Sequence, residues 1–264
     1  MSTVARHRTL WLSDIHLGSR ACRIDLLLDF LERNRCERLY LVGDIIDLRR
    51  MRRSFYWPKS HTEALERILA MARAGTRVIY IPGNHDEDFR ALTDLLLGPV
   101  EVRREFIHET AQGLRLLVLH GDCFDSVIRS SALMAVLGHA GYGLLLGLNR
   151  IGHACNALFR RPYWSLAQAI KMRIGRAARY VERFQTACLH RAREAGVDGV
   201  VSGHIHLADL VERDGLVYCN DGDWVESCTA LAENSEGELH ILHWGQSAAV
   251  PAAALLPLPL RDAA

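Results

Sequence analysis

The chain has 264 residues, 49% of them hydrophobic, and a formal net charge of +1. That length can bury a full core in one catalytic domain, and the near-neutral balance leaves no whole-protein field to attract nucleic acid. The seven cysteines (Cys22, Cys36, Cys123, Cys155, Cys188, Cys219, Cys228) are odd in number and never spaced Cys-x-x-Cys, and no long apolar run opens the chain. This is the pattern of free thiols in a cytoplasmic protein without a secretory signal.

Taken in order, the short apolar runs Leu10-Trp11-Leu12, Leu39-Tyr40-Leu41-Val42 and Val78-Ile79-Tyr80-Ile81 alternate with helical patterns at residues 25–31 and 63–71, the second closed by Gly75. Strand–helix–strand alternation predicts a largely parallel sheet with function gathered on one edge. Residues 100–120 take on β texture around a turn at Gln112-Gly113, residues 126–186 read as helices, and strands return at Val211, Leu216-Val217-Tyr218 and residues 239–243. The expected organisation is a core of residues 1–125 and 187–245, a helical cap inserted at 126–186, and a loose Ala, Pro and Leu-rich tail at 246–264.

Metal-binding side chains follow five of the apolar runs: Asp14-Ile15-His16, Gly43-Asp44, Gly83-Asn84-His85-Asp86, His120-Gly121-Asp122 and Gly203-His204-Ile205-His206. Two residues apart on an extended chain, Asp14 and His16 can converge on one ion, as can His204 and His206. Carboxylate, imidazole and amide oxygen suit Mn²⁺, Fe²⁺ or Zn²⁺, and no thiolate cluster points to a structural zinc. A pair of such ions polarises phosphoryl oxygens and makes water nucleophilic at neutral pH, so hydrolysis of a phosphate ester or anhydride follows.

In these blocks the sequence resembles the calcineurin-like metallophosphoesterase superfamily, whose order is Asp-x-His, Gly-Asp-x-x-Asp, Gly-Asn-His-Asp/Glu, His and Gly-His-x-His. The resemblance spans about residues 8–225 and implies a mixed α/β fold, a four-layer αββα sandwich. It implies Asp14, His16, Asp44 and His206 on one metal, Asp44 bridging to a second that Asn84, His120 and His204 complete, with Mn²⁺ the first choice. It also places His85 beside the scissile phosphate, as acid to the leaving group or as transition-state stabiliser, and Asp86 as its orienting partner. A narrower resemblance rests on Gly43-Asp44-Ile45-Ile46-Asp47, the arginines up to Arg53, Tyr56-Trp57-Pro58 and Asn220-Asp221-Gly222-Asp223-Trp224-Val225-Glu226-Ser227. These look like the UDP-2,3-diacylglucosamine pyrophosphohydrolases of lipid A synthesis, which split a lipid-linked nucleotide sugar into UMP and a diacylglucosamine 1-phosphate. The best-known branch has Arg after the metal-binding Asn, where this chain has His85.

Outside the ligand blocks, Arg49, Arg50, Arg52 and Arg53 stand where cations could meet a diphosphate or a membrane surface. Asp47 could hydrogen-bond a ligand or cap the following turn, Asp122 could orient His120 or serve as a turn acceptor, and Trp224 could wall the site or fill core. Residues 126–186 hold nine basic residues against Glu182, around an uncharged stretch at 130–149 whose glycines, histidine and serines suit a cap or interfacial segment better than a membrane span. The expected partners are a nucleotide-linked lipid or other diphosphate and, through the basic apolar cap, the cytoplasmic face of the inner membrane; no protein partner is expected. A nuclease or cyclic-nucleotide phosphodiesterase is the competing reading. A scaffold that had lost catalysis would show eroded ligands, and every block here is intact.

Overall fold

A computed structural model describes residues 4–128 and 175–245. β1 (Ala5–Leu12) shows how the layers arise, because alternate residues of a strand face opposite ways: Leu10 and Leu12 enter one core and Trp11 another. The same alternation separates Leu39 and Leu41 from Tyr40 and Val42 in β2 (Asn34–Val42), and Val78 and Tyr80 from Ile79 and Ile81 in β3 (Arg77–Ile81).

The first core is closed by helices. α1 (Ile24–Arg33) buries Leu27, Phe30 and Leu31; α2 (Leu48–Met51) is a single turn at the site; and α3 (Lys59–Arg73) buries His61, Ala64, Ile68 and Met71 at spacings of three and four, one helical face. The second core is closed by a sheet. β4 (Leu96–Leu97), β5 (Val100–Val102), β6 (Phe106–Glu109) and β7 (Arg115–Val118) come next, then the short α4 (Asp125–Ile128) and, as the next described helix, α5 (Gly175–Glu194). The chain ends in β8 (Gly199–Ser202), β9 (Asp209–Arg213), β10 (Leu216–Asn220), β11 (Thr229–Glu233) and β12 (Leu239–His243).

Seven strands form one sheet in the order β12-β11-β1-β2-β3-β5-β4, and five form another as β6-β7-β8-β10-β9. Leu116 and Val118 of β7, Val201 of β8 and Val217 and Cys219 of β10 meet Trp11, Tyr40 and Ile79 between the sheets. On the far face of the smaller sheet Leu117, Val200 and Tyr218 pack on Phe184, Cys188, Leu189 and Ala192 of α5. The result is helix, sheet, sheet, helix. α5 runs through residue 186, so its packing face lies partly in the segment read as cap; the remainder of that segment, with its uncharged stretch, and the 246–264 tail lie outside the described residues. No helix among the described residues is long and apolar enough to cross a membrane.

The expectation of a largely parallel sheet needs correction. β1, β2, β3 and β5 are parallel, as are β7, β8 and β10, but β11, β12 and β4 join the large sheet antiparallel, and β6 and β9 flank the small one antiparallel. Hairpins rather than helical crossovers make these additions. β11 went unread because Thr229-Ala230-Leu231-Ala232-Glu233 has Thr229 as its single β-branched residue and no aromatic one, a weak strand signal, yet it is buried throughout and pairs with β1.

Glu233 is buried there because it has partners. It accepts from Arg8 Nη1 (2.6 Å), Thr9 Oγ1 (2.6 Å) and the Ala111 amide (2.8 Å), and lies 3.0 Å from His108 Nε2. Burial raises its pKa, but the bonds from His108 and Thr9 outweigh that and hold it below the ordinary value; burial in turn pushes His108 down despite Glu233. Both depressions mean that the folded state binds fewer protons than the unfolded chain, so this stability is present above the unfolded pKa values and is lost as pH falls. Urea denaturation is expected to show wild-type stability declining from pH 7 to pH 4. Glu233→Gln should be less stable at pH 7 by about 3 kcal/mol and flatter with pH; a wild-type slope kept by the variant would refute the assignment.

Candidate metal centre

Loops leaving β1, β2, β3, β7 and β8 meet at one edge of the sandwich and carry the five ligand blocks. The loops are tied backbone to backbone: the Asp14 amide donates to Gly43 O (3.0 Å), His16 to Asp44 O (2.9 Å) and Gly203 to His120 O (3.2 Å). Asp14, His16, Asp44, His204 and His206 all have left-handed backbone, with φ between 50° and 70°. Such conformations are costly for residues with a Cβ and persist where surrounding bonds enforce them. Gly83 could not be replaced, since a Cβ there would collide with the Asp44 carboxylate.

Among the described residues side chains gather in three groups that share a common edge, one of them His16, Asp47 and His85. Asp14, His16 and His206 form another: His206 Nε2 is 3.0 Å from Asp14 Oδ1 and 3.4 Å from His16 Nε2, and His16 Nε2 is 3.9 Å from Asp44 Oδ2. Asp44, His120 and His204 form the third, with His120 Nε2 3.5 Å from Asp44 Oδ1. Burial opposes charge on every one of these carboxylates, but His206 and His120 hold Asp14 below the usual range, and His120, His16 and His85 do the same for Asp44. His120 is held well above its ordinary value, because Asp44 and Asp14 outweigh its burial.

Whether these residues suit divalent ions can be judged from their orphaned atoms. Asp14 Oδ1, Asn84 Oδ1 and His120 Nε2 are buried without a hydrogen-bond partner, although Asp14 and His120 lie near opposite charges. Buried polar atoms left unpaired are expensive, and here three of them are a carboxylate, an amide oxygen and an imidazole nitrogen at one place. The donor set fits two divalent cations sharing Asp44. His120 and His204 are oriented as ligands usually are, by a bond from the other ring nitrogen: His120 Nδ1 to Val42 O (2.8 Å), and His204 Nε2 to Asp125 Oδ1 (2.9 Å), which also accepts from Tyr180 Oη (2.9 Å).

His85 reaches the same cluster, edge-on to His16 with ring centroids 4.8 Å apart and Nε2 3.9 Å from Asp44 Oδ2. Its expected orienting partner, Asp86, is elsewhere. Asp86 accepts from the amides of Gly83 (2.6 Å), Ile45 (2.8 Å), Asp44 and Ile46 (both 3.3 Å) and from the Tyr80 hydroxyl, bracing the two loops. The carboxylate on His85 Nδ1 is Asp47, at 2.8 Å, and the same residue caps α2 by accepting from the Arg50 amide (2.9 Å) and lies 3.4 Å from His16 Nδ1. Asp47 therefore caps the turn, as expected, and also holds the His85 ring. Asp122 does not orient His120; it pairs with Arg90 at 2.7 Å. Trp224 does not wall the site either, being fully buried edge-on to Phe30 in the helix-covered core.

Arg49, Arg50, Arg52 and Arg53 are exposed on and just beyond α2. The Arg49 amide donates to His85 O (3.1 Å), fixing the turn to the cluster, while Arg52 pairs with Asp88 (2.7 Å). Sequence reasoning missed Ser13, Asp125, Tyr180 and the role of Asp221; of these Asp221 stood inside the Asn220–Ser227 block and Ser13 adjoined Asp14. The six cysteines among the described residues are free thiols, and burial pushes those of Cys22 and Cys36 up to about 12, away from reactivity.

No curated protein sequence matches the chain. Solved structures with similar folds include a single mutant of Vps29 from Entamoeba histolytica (16% identity, 88% of this chain and 89% of that chain, TM-score 0.46) and an archaeal phosphodiesterase (13%, 89% and 98%, 0.45). A Streptococcus pneumoniae protein described as a phosphoesterase is a further match (12%, 90% and 89%, 0.38). The family model for calcineurin-like phosphoesterases matches residues 7–208, and with most of its length so matched the chain belongs to that family.

Proposed function

We propose that this phosphohydrolase cleaves the diphosphate of a UDP-linked acylated glucosamine, releasing UMP and a lipid 1-phosphate, with Mn²⁺ as its metal. The observation that carries the reading is the arginine turn, whose backbone is bonded to His85 and whose N-terminus is capped by the carboxylate that holds the His85 ring. Four exposed guanidinium groups beside the cluster suit a substrate with two adjacent phosphates and suit an anionic membrane surface. Phe55, 76% exposed, immediately follows them and adds an apolar contact for a bilayer.

Asp14, His16, Asp44 and His206 would hold one ion, and Asp44, Asn84, His120 and His204 the other. Two divalent ions there supply charge withdrawal from the phosphoryl oxygens and a more acidic water. The chain's own residues do the rest. Burial opposes a charge on His85, but the bond to Asp47 and the charges of Asp44 and Asp47 outweigh it and raise its pKa above the ordinary imidazole value. His85 Nε2, facing Asp44, is then the proton donor to the departing oxygen, while Asp47 fixes the ring at Nδ1. Arg49 and Arg50, anchored by their own amides, orient the phosphates.

Metal-reconstituted full chain should be assayed in parallel on a UDP-diacylglucosamine, a dinucleotide and a model diester. The lipid-linked diphosphate is expected to give the highest kcat/KM; equal turnover of the small diester would refute the lipid assignment, and a dinucleotide preference would favour the nucleic-acid phosphodiesterase. Asp44→Ala should lower turnover of every substrate by more than about a hundredfold.

A second comparison separates the two carboxylates near His85. Asp47→Ala is expected to reduce kcat by about ten- to a hundredfold. Asp86→Ala should chiefly lower thermal stability, by about 3 kcal/mol, because it leaves several buried donors unpaired. Unchanged kcat in Asp47→Ala would show that the His85 ring needs no such support.

A further inference from the structure

Behind Asp14, away from the histidines, lies a buried row of three oxygens that the metal cluster does not itself explain. Ser13 Oγ is 2.6 Å from Asp14 Oδ2 and 2.6 Å from Asp221 Oδ1, with Gly222 O at 3.2 Å. Ser13, Asp14 and Asp221 are each at most 1% exposed. A Cβ at Gly203 would collide with Ser13 and Asp14, so the glycine of the Gly203-His204 block is what lets the row form.

Proton counting decides its direction. One hydroxyl has one hydrogen and cannot donate to two carboxylates at once, so one of the two acids brings a proton of its own. Asp14 Oδ2 already accepts from the His204 amide at 2.8 Å, and Asp14 Oδ1 lies 3.0 Å from His206 Nε2, a neighbour that suits its anion. Asp221 is fully buried, and its Oδ1 is held 2.6 Å from the Ser13 hydroxyl. Its other oxygen is buried without a partner, which is far less costly for a neutral acid than for an anion. The Asp221 backbone is fixed independently, its amide donating to Ser202 O (3.2 Å) and its carbonyl accepting from Thr229 Oγ1 (2.9 Å).

We propose that Asp221 is a positioning residue acting through Ser13: its carboxyl donates to the Ser13 hydroxyl, which donates to Asp14 Oδ2 and leaves Asp14 Oδ1 turned toward His16 and His206. Asp14 Oδ2 is then satisfied by protein on two sides, while Oδ1, 3.0 Å from His206 Nε2, is the orphaned atom offered to an ion. The inference rests on the proposed role of Asp14 as a metal ligand. Outer hydrogen bonds of this kind set ligand orientation and change metal affinity by about ten- to a hundredfold when removed.

The test is Mn²⁺ titration calorimetry on metal-stripped full chain, with melting temperatures to confirm folding. Asp221→Asn keeps a donor of the same shape and is expected to bind Mn²⁺ within about threefold of the wild type, whereas Asp221→Ala and Ser13→Ala should each bind at least about tenfold more weakly. Their double variant should be no weaker than either alone, since the two act in series. If Asp221→Ala does not fold, Ser13→Ala and Asp221→Asn decide: wild-type affinity in the first, or a tenfold loss in the second, overturns the proposal. Asp14→Ala separates the two levels. If it weakens Mn²⁺ binding while Ser13→Ala does not, only the Asp221 relay falls; if it leaves binding unchanged, Asp14 is no ligand and both fall.

Discussion

Burying Asp14, Asp44 and Asp47 in one cluster is the constraint to which the rest of this fold responds. Carboxylates a few ångströms apart and out of water repel, and each loses its hydration on entry. The chain answers with imidazoles: His206 on Asp14, His120 on Asp44, and His16 and His85 on Asp47. The four carried by strand-end loops can approach from different sides because two sheets deliver them to a common edge. Divalent ions would replace protons as the compensating charge, which couples metal affinity to pH and to stability.

Holding the loops still has its own cost. Five of the clustered ligands sit in left-handed backbone, and neither repulsion nor strain would keep them there unaided. Asp86 is the principal brace. By collecting amides from Gly83, Asp44, Ile45 and Ile46, with the Tyr80 hydroxyl behind it, it locks the turn after β2 to the turn after β3. Asp221 does the corresponding work between β10 and the loop after β1, through Ser13. One brace supports Asp44 and the other Asp14.

Much of this was legible in the sequence because apolar runs and ligand blocks are local signals. The strands before Asp14, Asp44, Asn84, His120 and His204 could be read, and so could the ligands that follow them. What could not be read was pairing across distance. β11 is a strand because β1 and β12 hold it, not because Ala and Glu favour extension. Asp86 looked like the partner of its neighbour His85, but its side chain turns back to amides around residue 45, and Asp47, 38 positions away, takes the ring. Asp125, just before the long basic segment, holds His204 and accepts from Tyr180, which lies inside that segment, with nothing in their local sequence to announce it.

The placement of Asp47 also joins recognition to chemistry. One carboxylate oxygen, Oδ1, both caps α2 and holds His85 Nδ1, while Oδ2 lies toward His16. The arginines ride on that helical turn, and the Arg49 amide is bonded to the His85 carbonyl. A phosphate that draws the guanidinium groups inward therefore pulls on the cap, and the cap is the same atom that sets the His85 ring. Distance from the arginines to the cluster is thus fixed by two short hydrogen bonds rather than by long side chains. A turn so tied holds the arginines and the His85 ring in one rigid unit.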